Sequence, residues 1–289
     1  MEPAQLYLEL LKRCLLDLVH ADDPLAAMVP AGVAHRRRPW RVALRAANRA
    51  LDRAGLMLVE PMRTPYEASA EQDPERIRAL REEGADWPVR AHTMVGRKRL
   101  DHLQHCVETV VADDIPGDLI ECGVWRGGAC ILMRAVLAAY EDYTRSVWLA
   151  DSFQGVPRSD PANYKADRGI RAEFAAGILG VSEAEVRANF ERYGLLDDRV
   201  RFLPGWFKDT LQDAPIERIS LLRLDGDLYE STIQALDALY PRLSPGGFCI
   251  VDDYQAVKVC EQAVTDYRAK HGITAEIVDI DGTGVLWRK

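Results

Sequence analysis

Four aspartates stand in two short stretches: Asp225 and Asp227 in LRLDGDLYEST, Asp252 and Asp253 in CIVDDYQ. Each stretch opens as an apolar run of strand character and ends in its acids. Carboxylates crowded at one sheet edge repel one another, and burial sharpens the repulsion. A hard divalent cation, which prefers oxygen ligands, relieves it. The competing role is capping of a following helix, above all for Asp253, but two pairs of acids favour the cation. Asp227, offset by two from Asp225, is placed to face a substrate rather than the ion.

A second stretch, Asp118 to Gly128 (DLIECGVWRGG), reads as a buried strand ending in Glu121. A glycine turn (Gly123, Gly127, Gly128) and a helix over about 129–143 follow. Glycines let backbone approach a ligand, and a helix start offers free N–H groups. Asp151 ends the next strand, VWLADSF, where an acid can hydrogen-bond a ribose diol. The dinucleotide pattern G-x-G-x-x-G is absent, and Glu121 would repel a pyrophosphate. A ligand with an adenosine, a cationic amino group and no phosphate fits better, and S-adenosylmethionine has all three properties.

These acids need a sheet to carry them. Strands are expected at 118–124, 146–151, 199–204, 219–225 and 247–252, and helices at 129–143, 182–193, 230–242 and 255–271. Alternation of this kind predicts an α/β fold with a mostly parallel, Rossmann-like sheet, whose ligands bind at the carboxyl ends of the strands. The end of the chain, 275–280, Asp281-Gly282-Thr283-Gly284 and 285–289, signals an antiparallel hairpin. The stretch 154–185 is long for a strand-to-helix connection and predicts an inserted lid with a helix over 171–178.

Residues 1–90 read as a helical N-terminal extension and 91–289 as the main domain. A helix over 4–20 would carry Leu6, Leu10, Leu11, Cys14, Leu15 and Leu18 on one stripe, in need of a core or a second subunit. Residues 35–54 hold seven arginines and one acid, Asp52, and predict a solvated basic helix. Residues 61–88 read as a connector with a short helix over 73–83, and a further helix opens after His92–Gly96. His102 and His105 in that helix lack a third ligand and read as structural.

The net charge of -8 gives no electrostatic case for nucleic acid. Six scattered cysteines form no C-x-x-C pair and indicate a reducing compartment. With neither a signal peptide nor an apolar run long enough to span a bilayer, a cytoplasmic protein is expected.

The motifs DLIECGVWRGGAC, VWLADSFQGVP, RFLPGWFKDT, LRLDGDLYEST and LSPGGFCIVDDY, with the terminal hairpin, resemble the macrocin O-methyltransferase family. The resemblance covers about residues 88–289 and YLELLKRCLL near the N-terminus. It implies a class I methyltransferase that moves a methyl group from S-adenosylmethionine to a sugar hydroxyl in antibiotic biosynthesis. It also implies Mg²⁺ as cofactor and a homo-oligomer. Carried over, Glu121, Gly123, Asp151 and Ser152 would hold the cofactor, and Thr93, Met94, Gly205 and Trp206 would close around it. Asp225, Asp252 and Asp253 would hold the ion, and Asp227 would be the general base. A nicotinamide-dependent oxidoreductase and a non-catalytic cofactor-binding protein are the alternatives. The lid departs from the family pattern, so the acceptor stays open.

Overall fold

The computed structural model describes residues 2–19, 27–28, 74–88, 90–168, 170 and 179–289. The Arg-rich segment 35–54, much of the connector and the expected helix at 171–178 lie outside the described residues.

The chain begins with α1 (Pro3–Leu15). A two-residue ribbon then pairs β1 (Ala27–Met28) with β2 (Trp87–Pro88) across α2 (Pro74–Glu83). After α3 (Arg97–Ala112) strands and helices alternate: β3 (Asp118–Cys122), α4 (Gly128–Ala139), β4 (Val147–Asp151), α5 (Glu183–Arg192), β5 (Val200–Pro204). A short α6 (Phe207–Thr210) precedes β6 (Ile219–Leu224), α7 (Tyr229–Leu239), β7 (Leu243–Val251) and α8 (Lys258–His271). The hairpin β8 (Val278–Asp279) and β9 (Val285–Arg288) ends the chain.

The seven-stranded sheet has the order β5-β4-β3-β6-β7-β9-β8. β9 runs against both of its neighbours; the pairs among β3 to β7 are all parallel. Side chains alternate across a strand, which splits the core into two layers. Leu119 and Leu221 face one layer with α1, α3, α4 and α5. Ile120 and Leu222 face the other with α7, α8 and Trp287. β3 and β6 are covered on both faces, which explains their near-continuous apolar composition.

Several boundaries differ from expectation, among them three by a local cause. β7 starts at Leu243, which pairs beside Ile219 ahead of a register shift. α4 stops at Ala139 because Glu141 turns left-handed, with φ 59°. α8 starts at Lys258 with Val257 as N-cap. The first helix is also rotated from its expected phase. Leu8, Leu11 and Leu15 are buried, each contributing about 1.5–3 kcal/mol, while Leu6 and Leu10 stand 61% and 57% exposed. Leucines lie on nearly every side of this helix, so periodicity does not choose a face. Lys12 does: it is buried and paired with Glu9 and Asp101.

Candidate active site

The carboxyl ends of β3, β4, β6 and β7 open into a cavity of about 720 Å³, the size of a small-molecule site. Thr93, Met94, Glu121, Gly123, Asp151, Ser152, Trp206 and all four aspartates line it. Gly205 alone among the expected site residues is not a lining residue. Its N–H donates to the Asp151 carbonyl at 2.9 Å, and its φ of 137° turns the chain just ahead of Trp206.

Gly123 closes the join between the two halves of the site. At φ 90° its backbone lies against the Asp225 carbonyl, and a Cβ there would come within 2.0 Å of that oxygen. Only glycine fits so close an approach. Gly128 is packed in the same way: its N–H donates to the His92 carbonyl at 3.0 Å, and a Cβ would meet that oxygen at 2.4 Å. The contact lays Thr93 and Met94 along the cavity wall. One Asp151 oxygen holds the glycine turn, accepting from Val124 N at 2.7 Å, and the other accepts from Phe153 N of its own loop at 2.8 Å. His102 and His105 stay outside the cavity, their rings 6.4 Å apart edge to face, as structural residues should.

Neither aspartate pair caps a helix. Leu228 is the N-cap of α7 and Val257 that of α8. The start of α7 is capped from the lid: both oxygens of the fully buried Asp167 accept, from Tyr229 N and Glu230 N, at 2.9 Å each. None of the four aspartates is thus spent on capping a helix. One oxygen from each of Asp225, Asp252 and Asp253 lies within 4.8 Å of the others. Asp227, at φ 58°, sits at the turn into α7. Burial, followed by the charge of Asp225, pushes the Asp227 carboxyl up to about 6. Burial and the surrounding acids push Asp253 well above the usual carboxylate range. These crowded oxygens stand where they could surround a cation. An all-oxygen donor set under this repulsion fits a hard divalent ion.

Two arginines absent from the sequence expectation thread the cluster. Arg223, 3% exposed, donates to Glu121, Asp225 and Asp252. Arg99 pairs with Asp252 and, at 2.9 Å, with Asp281 in the hairpin turn. Glu121 is therefore not a bare acid. Burial still dominates it, pushing its carboxyl up to about 7 despite Arg223.

A Rossmann-like sheet ending in an antiparallel hairpin, with a glycine turn and an acidic cluster at its carboxyl edge, defines a class I methyltransferase. The family model for macrocin-O-methyltransferase matches residues 4–289. The chain belongs to this family of O-methyltransferases, which fall in the S-adenosylmethionine-dependent class. It is 50% identical over 283 residues to a Streptomyces olivaceus 8-demethyl-8-(2,3-dimethoxy-alpha-L-rhamnosyl)-tetracenomycin-C 4'-O-methyltransferase, covering 98% of this chain and 92% of the relative. It is 54% identical over 210 residues to a Streptomyces niveus demethyldecarbamoylnovobiocin O-methyltransferase, covering 73% and 80%. The solved structure of the O-methyltransferase NovP superposes with a TM-score of 0.78 at 44% identity, covering 99% of both chains. The oxidoreductase and non-catalytic alternatives are set aside.

Proposed function

We propose that the protein methylates a hydroxyl of a sugar carried on an antibiotic-type natural product, taking the methyl group from S-adenosylmethionine with Mg²⁺ or a similar ion as cofactor. The observation that carries this reading is the oxygen trio of Asp225, Asp252 and Asp253 in the same cavity as the glycine turn. The names of the relatives, which act on glycosides, support the acceptor class.

In this reading Asp225, Asp252 and Asp253 hold the ion, whose positive charge makes an acceptor hydroxyl more acidic. Asp227 takes the hydroxyl proton as general base. The oxygen then bonds to the methyl carbon as the carbon–sulfur bond breaks, leaving a thioether and a methyl ether. Glu121 would meet the ammonium of the methyl donor, Asp151 and Ser152 would hold its ribose, and Gly123 would give it room. Thr93, Met94 and Trp206, the last placed by Gly205, would close around it. Most of the acceleration comes from this positioning and from the fixed charges.

Self-association and a cytoplasmic setting belong to the same reading. Leu6, Tyr7 and Leu10 offer an exposed apolar edge of α1, which light scattering tests through the oligomeric state. All six cysteines are free and five are buried, as suits a reducing compartment. Among the described residues no helix is long and apolar enough to cross a membrane.

The deciding experiment incubates the protein with S-adenosylmethionine and a panel of sugar glycosides, with and without chelator. Mass spectrometry should find an acceptor one methylene heavier, lost in chelator and restored by Mg²⁺. Full turnover by protein shown metal-free by elemental analysis would sink the metal assignment.

A further inference from the structure

The cavity has two ends. Glu121, Gly123 and Asp151 line one, at β3 and β4; Asp160, Phe207, Lys208, Glu230 and Gln234 line the other, between the lid and the first turns of α7. Glu230 is 8% exposed. Its Oε1 accepts from Gln234 Nε2 at 3.0 Å, and that nitrogen also lies 3.2 Å from the Tyr164 hydroxyl of the lid. The Glu230 backbone N–H is held by Asp167. Backbone and side chain are thus both fixed, yet Glu230 Oε2 is buried and accepts from no donor among the described residues.

A buried, immobilised acceptor with no donor among the described residues is a costly feature, and it lines the cavity beyond the acids proposed to activate the hydroxyl. Lys208 and Gln234 line the same end of the cavity, and burial raises the Glu230 carboxyl despite Lys208. The remaining need is a neutral donor. A sugar hydroxyl meets it.

Resting on the sugar O-methyltransferase function above, we propose that Glu230 is a specificity residue: its Oε2 accepts a hydrogen bond from a second free hydroxyl on the ring that is methylated. The enzyme then selects uncharged sugars bearing at least two hydroxyls. A site built to hold a hydroxyl discriminates strongly against the analogue lacking it, because the buried oxygen is left without its donor.

The test uses p-nitrophenyl α-L-rhamnopyranoside and its 2-, 3- and 4-deoxy analogues, with S-adenosylmethionine and Mg²⁺. One deoxy analogue that keeps the methylated hydroxyl should lose about 10- to 100-fold in kcat/KM with wild-type protein, the worth of one charge-assisted hydrogen bond. Glu230→Ala should lose a similar factor on the parent rhamnoside and stop distinguishing that analogue. Glu230→Gln, which keeps an acceptor oxygen, should keep part of the preference. Both variants should bind S-adenosylhomocysteine as wild type does, and Glu230→Gln should melt no lower than wild type, since it replaces a buried carboxylate, one oxygen of which lacks a donor, by a neutral amide. Methyl transfer with an unchanged deoxy preference in Glu230→Ala overturns the assignment, as does a collapse of the melting temperature in Glu230→Gln. Absence of transfer by wild type to every sugar overturns the functional reading and this inference with it.

Discussion

Arg223 and Glu121 are register partners on the neighbouring parallel strands β6 and β3, and the arginine donates to the glutamate across that pairing. The same guanidinium reaches Asp225 and Asp252. One buried cation therefore joins Glu121 to the aspartate cluster.

Removing that cation should be costly. Arg223→Met leaves three carboxylates without their shared partner, and losing one side of a buried ion pair costs about 3–5 kcal/mol. Urea unfolding should show a loss of that order. Arg223→Lys keeps the charge but offers no planar fork, so it should fall between the two. Wild-type stability in Arg223→Met would mean that the cluster is held by other contacts.

Glu121 predicts a pH dependence. Its folded carboxyl is raised from 4.5 to about 7, chiefly by burial. A raised acid contributes stability while protonated, below its unfolded value, and loses it as pH rises through the folded value. Free wild-type protein should therefore lose stability between about pH 4.5 and 7, by at most about 3 kcal/mol. Glu121→Gln cannot titrate and should show a shallower slope over the same window. Parallel curves for the two proteins, followed by urea unfolding across that range, would count against the raised carboxyl.

The two acids of LDGDLYE should separate in function. Asp227→Asn removes the base, and kcat should fall by about 10²–10⁴, the usual span for general-base removal, with metal affinity nearly unchanged. Asp225→Asn should instead weaken metal binding, measured by titration calorimetry with Mg²⁺. Equal loss of metal in both variants would make Asp227 a ligand and put the base elsewhere.

Asp167 should act as the latch of the lid. Asp167→Ala removes the acceptor of two N–H groups at the start of α7, which costs about 0.5–2 kcal/mol for a cap. The variant should also be cut faster by protease within 154–185, because the segment loses its anchor. Unchanged cleavage would show that other contacts hold it.

Much of this was legible in the sequence because apolar runs ending in acids are a strong signal, and a parallel sheet gathers strand ends at one edge. Glu121, Asp151 and the four aspartates came from that logic, and the hairpin from its DGTG turn. What stayed hidden depends on pairing and phase. Arg223 interrupts the run ISLLRLD and reads as a blemish there; only its register beside Glu121 gives it a role. Glu230 reads as an ordinary acid in a first helical turn until Gln234 takes one oxygen and burial isolates the other. The phase of α1 was hidden because its leucines point in too many directions, and the buried face is set by Lys12 and its distant partner Asp101.

The contact between Gly123 and the Asp225 carbonyl seats the glycine turn against the turn that carries the acids, main chain on main chain, with Arg223 bridging their carboxylates beside it. A single methyl group at position 123 would wedge them apart. In the proposed reading, changes in 154–185 and in α7 would alter the sugar without touching that seam, so the reach of the methyl group would stay fixed while its destination changed.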